Sequence, residues 1–571
     1  MWCRSTEIWF DFILFKISGK TRTQVFSRDT AELEQDITLD ELKLALSKSS
    51  NQSAPGEDGV GYRLYKMLWD KIGPLLVMSA NEIMATGQLP SYFQTVIISL
   101  IPKPEKDDTF IQNYRPISLI NCGLRLISGV LNNRLQKALA DIITYEQVGF
   151  MSGRHIDNNI QKLKYVYEDI LVRKNKHAHI LLLDFEKAFD RVSHRYMEKV
   201  LKKIRVGPRM RNILMSITTQ QRAKLRINNF YSRSFPLHQG TRQGNPVSPL
   251  LFNICLEPFL YYLTQHIRGY PLSFLPVFKN VQLLSYADDL TVFINDTTED
   301  VDIFWNLLCD YEKVSNARIN VDKTMDYSLS SDLNKLPFPH KTIGVNDLRY
   351  LGVDMQSFSW KTFTDSILKG LWNTELTEAP IHLRALGFNT YIFSKLYFRD
   401  IHCAMASHDI KYLKTRIKTF FKGIGYNTLT ALPTQGGFGL LDLGQQLKGR
   451  RAKYVWESLS NVTDWNFLVF RSKLQQFVNE QSDSYNNNSI RILTIPWFSF
   501  LTRLTINYKG QDIAQYIRNS SIFNSTEKAY LSAWFELVRP IRDQFVAQPI
   551  SYPHFDYLNL INPSIAPPLP K

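Results

Sequence analysis

The chain has 571 residues, 44% of them hydrophobic, which is enough apolar material for several packed subdomains. Its formal charge of +15 and pI near 9.3 favour a polyanionic partner, either nucleic acid or an acidic membrane surface. The five cysteines (Cys3, Cys122, Cys255, Cys309 and Cys403) are scattered, with no Cys-x-x-Cys pair or Cys/His cluster, which argues against a disulfide framework or a zinc finger and suggests reduced structural thiols.

The opening stretch "MWCRSTEIWFDFILFKISGK" is interrupted by Asp11 and Lys16 and makes a poor signal peptide. No later run is long and apolar enough to span a membrane, so an intracellular protein is expected, nuclear or cytoplasmic and not secreted. "DITLDELKLALSKS" predicts a helix: Thr38 and Glu41 form a capping box, and Leu39, Leu42, Leu44 and Leu46 gather on and around one face. "SAPGEDGVGY" reads as a loop with turn formers Pro55-Gly56 and Asp58-Gly59. "YFQTVIISLIPKP" is a strand ended by prolines, and "NYRPISLINCGLRLISGVLNNRLQKALADII" passes from extended chain into a long amphipathic helix.

"HAHILLLDFEKAFDRV" predicts a buried strand that meets a helix at Asp184. The segment from Arg191 to Arg226 carries eleven basic residues against the single acid Glu198, a surface suited to phosphate contact. In "HQGTRQGNPVSPLLFNI", Gly240 and Gly244 permit unusual backbone angles, while Pro246 and Pro249 stiffen the chain. A helix should begin there with Ser248 as N-cap and Pro249 in the first turn. The stretch is either a plain strand-to-helix loop or a rigid platform for a nucleotide or template base.

"LLSYADDLTVF" places Asp288 and Asp289 inside an apolar, β-rich run. Two adjacent buried carboxylates are costly and repel each other. They mark a surface turn, a solvated stretch, a partnership with basic residues or a site for divalent cations. Asp184, at the end of the strand "ILLLD", supplies the third carboxylate that the last reading needs. Hard cations take oxygen ligands and keep phosphate oxygens in their shell, and two of them can activate a 3′-hydroxyl and stabilise a leaving pyrophosphate. Beyond residue 350 the pattern turns helical and aromatic, broken by the loop "LPTQGGFGLLDL". "NEQSDSYNNNS" reads as a polar linker and "NPSIAPPLPK" as a Pro-rich tail. No internal repeat is visible, and Trp465, Trp497 and Trp534 read as core aromatics.

In this order, "LLDFEKAFDRV", "GTRQGNPVSPLLFN" and "YADD" resemble the reverse transcriptases of non-LTR (LINE-type) retrotransposons. The flanks "ITLDELKLAL", "SAPGEDGVGY", "TGQLPSYFQTVIISLIPKP", "NYRPISLINCGLRLISGVLNNRL" and "EQVGFMSGRHIDNNI" look like that family's fingers. "ARINVDKT", "RYLGV" and "LPTQGGFGLLDL" look like its later palm and thumb, so the resemblance runs from about Ile37 to Ser458. It implies an α+β right-hand polymerase fold: fingers, a palm with an antiparallel sheet, and a mostly helical thumb, plus a helical C-terminal region. The implied boundaries are an N-terminal segment over 1–36, fingers with an N-terminal extension over 37–175, and a palm over 176–355 with fingers residues interleaved. A thumb-like helical region over 356–460 and a C-terminal helical region over 461–571 complete them.

The resemblance also implies roles. Asp184, Asp288 and Asp289 match the family's catalytic carboxylates. Asp184 and Asp288, with the Phe185 carbonyl and Asp289, would bind two Mg²⁺ ions, with Mn²⁺ as a substitute. Phe189 matches the aromatic gate that excludes a 2′-hydroxyl, set against a plain core aromatic, and its bulk disfavours an RNA-templated RNA polymerase. Lys103 and Arg115 match contacts to the incoming triphosphate, Gln243 and Gly244 the pair beside the nucleotide, and Lys323 a palm lysine near the pyrophosphate. Arg154, Arg134 and Tyr286 are expected to touch template or primer. Partners would be an RNA template, a DNA primer or RNA–DNA hybrid, and dNTPs, with no membrane. Tyr286 stands where the family usually has Phe, Arg125 where Lys is common, and Asn316 where Gly is usual; Asn also accepts left-handed angles. With no room for an endonuclease, no zinc knuckle and no recognisable ribonuclease H acids, the chain is expected to be a piece or truncated copy of a longer element whose nuclease is supplied elsewhere. The expected activity is RNA-directed DNA polymerisation; the alternative is a silent or domesticated RNA-binding relic that keeps the fold.

Overall fold

The computed structural model describes residues 31–104, 106–175, 177–272, 280–295, 298–328, 341–343, 348–355, 358–372, 375–460, 469–470, 472–474, 476–477 and 517–538. The opening stretch through residue 30, the polar linker and the Pro-rich tail lie outside them, as do Trp465 and Trp497. The chain divides into two compact units, one within 1–159, 174–270 and 280–345, the other within 160–173, 271–279 and 346–571.

The first unit is built on two mixed sheets. In one, β1 (Thr95–Pro102) lies between β2 (Tyr114–Leu119), antiparallel, and β4 (Arg222–Ile227), parallel; β5 (Phe230–Tyr231) and β6 (Phe235–Pro236) pair with β4. The other has the order β10-β9-β3-β8-β7, from β3 (Ala178–Leu183), β7 (Leu283–Tyr286), β8 (Asp289–Asn295), β9 (Met325–Ser328) and β10 (Lys341–Ile343). β3 sits between β8 and β9, antiparallel to both. Nearly every residue of β3 and β8 is buried, which explains why "AHILLL" and "LTVFI" are continuous apolar runs rather than alternating ones. Mixed helix and sheet content of this kind is compatible with the expected α+β class.

The helices of this unit follow their sequence signals. Thr38 and Glu41 close a reciprocal capping box ahead of helix Leu39–Ser47: the Thr38 N–H donates to Glu41 Oε2 at 2.9 Å and the Glu41 N–H to Thr38 Oγ1 at 3.3 Å. Leu42 and Leu46, one turn apart, face the core, whereas Leu44 falls off that stripe and Leu39, on it but in the first turn, stays partly exposed. The long helix Cys122–Leu139 and helix Ser248–His266 bury most of their side chains in the core that also receives Leu181, Leu183 and Leu290.

Two local expectations need correction. Ser248 is not an N-cap: it is the first residue of its helix, and its hydroxyl accepts the Arg242 N–H at 3.1 Å. The basic segment is also less free than its composition suggests. Arg191 pairs with Glu186 at 3.0 Å, Arg209 with Asp36, Lys224 with Glu57, and Lys202 with Glu198 at 2.5 Å, so several of its charges have acidic partners on the protein's own surface.

The second unit is mostly helical. One core gathers around Phe388, Phe393, Leu396, Ile417 and Leu443, and another around Val455, Phe470, Leu531 and Trp534, which is buried as expected. Arg451 grips the buried Asp400 with both guanidinium arms, at 2.8 and 2.5 Å, and donates to the Met405 carbonyl at 2.9 Å. Lys473 meets Glu527 at 3.0 Å in a second buried pair. Among the described residues, no helix is long and apolar enough to cross a membrane.

Candidate active site

β-Sheet register brings the three predicted carboxylates to one edge. β3 and β8 pair through Leu183↔Leu290, so one step further along the ladder Asp184 and Asp289 follow on facing strands. Tyr286 pairs with Asp289 across the β7–β8 hairpin, leaving Ala287 and Asp288 as a two-residue turn. The strands β3 and β8 are largely apolar and buried, and Asp184 and Asp289 stand at their ends.

The electrostatics are those of acids in excess. Asp289 has its carboxyl pushed up to about 6, first by burial and then by the charges of Asp288 and Asp184, with Lys323 pulling the other way. Burial likewise raises Asp288; its own backbone N–H favours the anion, Asp184 opposes it, and Lys323 favours it. The cation in reach is Lys323, whose Nζ lies 3.3 Å from Asp184 Oδ2. One lysine does not balance three carboxylates, and an oxygen donor set short of positive charge fits a hard divalent cation. Among the described residues, no three acids, histidines or cysteines are gathered as a preformed metal-holding group.

Phe185 contributes through its backbone. It bridges Ile319 antiparallel, with the Asn320 N–H donating to the Asp184 carbonyl at 2.7 Å and the Glu186 N–H to the Arg318 carbonyl at 2.8 Å. Phe185 and Ile319 are therefore a non-hydrogen-bonded pair, whose own carbonyls point away from each other. The Phe185 ring is buried against Tyr311.

Phe189 lies on the short helix Ala188–Arg191, entered through Lys187 at φ 48°. Its ring packs 4.6 Å from Phe252 and stays half-buried, part core aromatic and part accessible surface. The loop from His238 to Val247 is fastened to this helix: the Gly240 N–H donates to the Val192 carbonyl and the Thr241 N–H to the Phe189 carbonyl, both at 2.7 Å. Gly240, at φ 79°, comes so close that an added Cβ would sit 2.5 Å from the Asp190 carbonyl oxygen. Beneath the loop, buried Arg242 donates to the Gln239 and Gly240 carbonyls at 3.1 and 3.3 Å. Burial pushes its guanidinium down to about 10, against the pull of Asp190.

Gln243 and Gly244 reach the other sheet. The Ser118 N–H on β2 donates to the Gln243 carbonyl at 2.9 Å, and Gly244, at φ 104°, would place a Cβ 2.7 Å from the Ser118 carbonyl oxygen. Arg115 lies three residues earlier on β2, opposite Ile101, with its side chain exposed. Lys103, beyond the end of β1, donates its N–H to the Asn113 carbonyl at 2.8 Å and its ammonium to the Gln112 carbonyl at 3.0 Å. Asn316 takes the left-handed angle expected of it, φ 65°, and its amide donates to the Arg191 carbonyl at 3.0 Å.

Two of the residues expected to touch nucleic acid make their hydrogen bonds within the protein. Arg154 donates to four backbone carbonyls, those of Thr144, Gln147, Ala140 and Ile143, at 2.6 to 2.9 Å. Arg134 grips Glu41 with two bonds of 2.7 Å and adds the Gln35 and Asp36 carbonyls. Both guanidiniums are engaged in hydrogen bonds within the fold. Tyr286 keeps a half-buried ring 6.4 Å from that of Phe150, which is also edge-on to Phe189 at 6.5 Å. Phe150 is 50% exposed at φ 58° and was not singled out from sequence; a lone Phe after Gly gives no periodic signal.

Residues 101–355 match the family described as reverse transcriptase (RNA-dependent DNA polymerase). Over 452 residues the chain is 28% identical to the Transposon TX1 uncharacterized 149 kDa protein of Xenopus laevis, covering 76% of this chain and 34% of that protein. It is 28% identical over 267 residues to the Retrovirus-related Pol polyprotein from type-1 retrotransposable element R2 of Nasonia vitripennis, covering 47% of this chain and 24% of the relative. It is 23% identical over 308 residues to the RNA-directed DNA polymerase from mobile element jockey of Drosophila melanogaster, covering 53% and 32%. The chain thus spans 34% or less of the length of each of these curated relatives. Residues 101–355 thus match the reverse transcriptase family, and the similar proteins include a Pol polyprotein of a retrotransposable element and an RNA-directed DNA polymerase of a mobile element.

Proposed function

We propose that this chain is an RNA-directed DNA polymerase of a non-LTR retrotransposon, adding dNTPs to a primer 3′-hydroxyl on an RNA template. The observation that carries this reading is the convergence of Asp184, Asp288 and Asp289 at one sheet edge, under-neutralised by Lys323. The β3-containing sheet is read as palm, the β1-containing sheet as fingers, and the helices within 356–460 as thumb.

Reverse transcriptases generally use divalent metal ions. Here two Mg²⁺ ions, or Mn²⁺ in their place, would be held by Asp184, Asp288 and the Phe185 carbonyl with Asp289 beside them, activating the 3′-hydroxyl and stabilising the leaving pyrophosphate. Arg115 is the planar fork for the incoming triphosphate, with Lys103 as a point charge beside it. Lys323 exchanges Asp184 for the pyrophosphate oxygens. The Phe189 ring stands against the sugar and excludes a 2′-hydroxyl. Gln243 and Gly244, tied to the same strand as Arg115, line the nucleotide and its template base. A relic that only binds RNA has no feature in its favour, since every proposed catalytic group is present.

The test is incorporation of labelled dNTPs on a primed RNA template by purified protein, with and without chelator. Template-complementary products that vanish with EDTA and return with Mg²⁺ are expected. A folded protein that binds the template and extends nothing refutes the polymerase reading.

A further inference from the structure

The turn that presents Asp288 is held in an unfavourable shape by a residue with no role assigned so far. Ala287 has φ 55°, the position in a two-residue hairpin turn that normally requires glycine. Something outside the turn must over-determine it.

That something is Gln147, whose side chain is fully buried. Its Oε1 accepts the Ala287 N–H at 2.8 Å, and its Nε2 donates to the Ala287 carbonyl at 3.2 Å. One amide therefore pairs with both backbone groups of the strained residue, as a neighbouring strand would. The same Nε2 donates to Ser285 Oγ at 2.7 Å, and the same Oε1 accepts the Gly149 N–H at 2.9 Å. All four hydrogen-bonding positions of the amide are in use. The backbone supports it: Gln147 bridges Ser285 in parallel, with the Ser285 N–H on the Glu146 carbonyl at 3.1 Å and the Val148 N–H on the Ser285 carbonyl at 3.0 Å.

The segment carrying Gln147 is itself clamped. The Thr144 N–H and hydroxyl donate to buried Glu257 at 2.8 and 2.5 Å, and Asn253 donates to the Gly149 carbonyl at 2.7 Å. Arg154 collects four carbonyls around it. Gly149 is pressed against the turn so closely that a Cβ there would lie 2.3 Å from the Ala287 nitrogen. A rigid jig thus bears on a strained turn, and Asp288 is the next residue along.

We propose that Gln147 is a positioning residue for the proposed polymerase reaction: its amide holds Ala287 in the left-handed turn that aims Asp288 and Asp289. The inference rests on the polymerase reading, and none of the hydrogen bonds described for Gln147 is to a carboxylate, so it acts through the backbone.

The test compares wild type, Gln147→Leu, Gln147→Glu, Ala287→Gly and the double variant Gln147→Leu/Ala287→Gly in single-nucleotide incorporation on primed RNA. Gln147→Leu is expected to lower kcat on the order of 10²-fold, the effect of a small misplacement of catalytic groups, while KM for dNTP stays within about twofold. Adding Ala287→Gly is expected to restore most of kcat, because glycine adopts the positive φ unaided; loss of packing alone would not be rescued this way. Unchanged kcat in Gln147→Leu, or no rescue in the double variant, overturns the proposal. Should Gln147→Leu fail to fold, Gln147→Glu, which keeps the acceptor and loses the donor, carries the same expectations. Hydrogen exchange separates this claim from the polymerase reading: slow exchange of the Ala287 amide, lost in Gln147→Leu and kept in Gln147→Glu, which retains the acceptor, upholds the clamp even if wild type polymerises nothing. Exchange in Gln147→Leu as slow as in wild type overturns the clamp.

Discussion

Replacing Asp289 by Asn should make the metal-free protein more stable at neutral pH while damaging its chemistry. The Asp289 carboxyl lies at about 6 against an ordinary 3.8, through burial and then through Asp288 and Asp184. An acid held above its unfolded value binds its proton more tightly when folded. Stability is therefore fully present below about 4, is lost as pH rises from there to about 6, and stays reduced above. Unscreened, that displacement amounts to about 3 kcal/mol; protein crowds the Asp289 carboxyl, yet the residue as a whole is exposed, so screening brings it to about 1 kcal/mol. The assay is thermal unfolding in chelator, followed by near-ultraviolet circular dichroism, from about pH 4.5 to 8. Asp289→Asn is expected to melt roughly 2–4 °C above wild type at pH 7. The gap should close as pH falls from about 6 to 4, and Mg²⁺ should narrow it at pH 7 by stabilising the wild type. An Asn variant less stable than wild type at pH 7 in chelator, or a gap that ignores pH, would show that the three acids do not repel one another as described.

Four further outcomes follow from the structure. Arg154→Ala loses four hydrogen bonds to carbonyls and should cost about 2–4 kcal/mol of stability, leaving the salt dependence of RNA binding unchanged; a flatter salt slope would restore Arg154 to the template. Arg115→Ala, an exposed change, should alter stability by under about 0.5 kcal/mol yet raise KM for dNTP about tenfold, and an unchanged KM would remove Arg115 from the triphosphate. Phe189→Val should raise ribonucleotide incorporation relative to deoxyribonucleotide by about tenfold or more, and an unaltered ratio would leave Phe189 a packing residue on Phe252. In the second unit, Asp400→Asn leaves the buried Arg451 charge unpaired and should cost about 3–5 kcal/mol in denaturant unfolding, without shifting the pH profile of incorporation.

The β3-containing sheet was legible because its strands announce themselves. β3 and β8 are buried on both faces, so their apolar runs and the acids that interrupt them could be read directly. Thr38 and Glu41 likewise act within one helical turn, a range over which sequence and structure coincide. Asn316 could be predicted because φ above zero selects few residue types.

What stayed hidden depends on distant partners. Arg154 and Arg134 look like phosphate contacts until the carbonyls and the carboxylate they serve are seen, since an arginine reads the same in either role. Ser248 beside a proline resembles a cap, but a loop residue six positions back takes its hydroxyl. Gln147 reaches Ala287 across 140 positions, and a solitary glutamine carries no periodicity that would mark it. The pairing of β3 with β8 was only half accessible: the pleat sets which faces are buried, whereas the strand partner comes from the assembled sheet.

The central claim, that the carboxylates at this sheet edge carry polymerase chemistry, is tested most directly by single-turnover nucleotide incorporation on an RNA template by wild type beside Asp288→Asn. The substitution keeps shape and removes charge. Incorporation by wild type, reduced on the order of 10³-fold or more in the variant with fold and RNA affinity intact, is the predicted result. Equal incorporation by both, or none by a folded, RNA-binding wild type, would contradict the account.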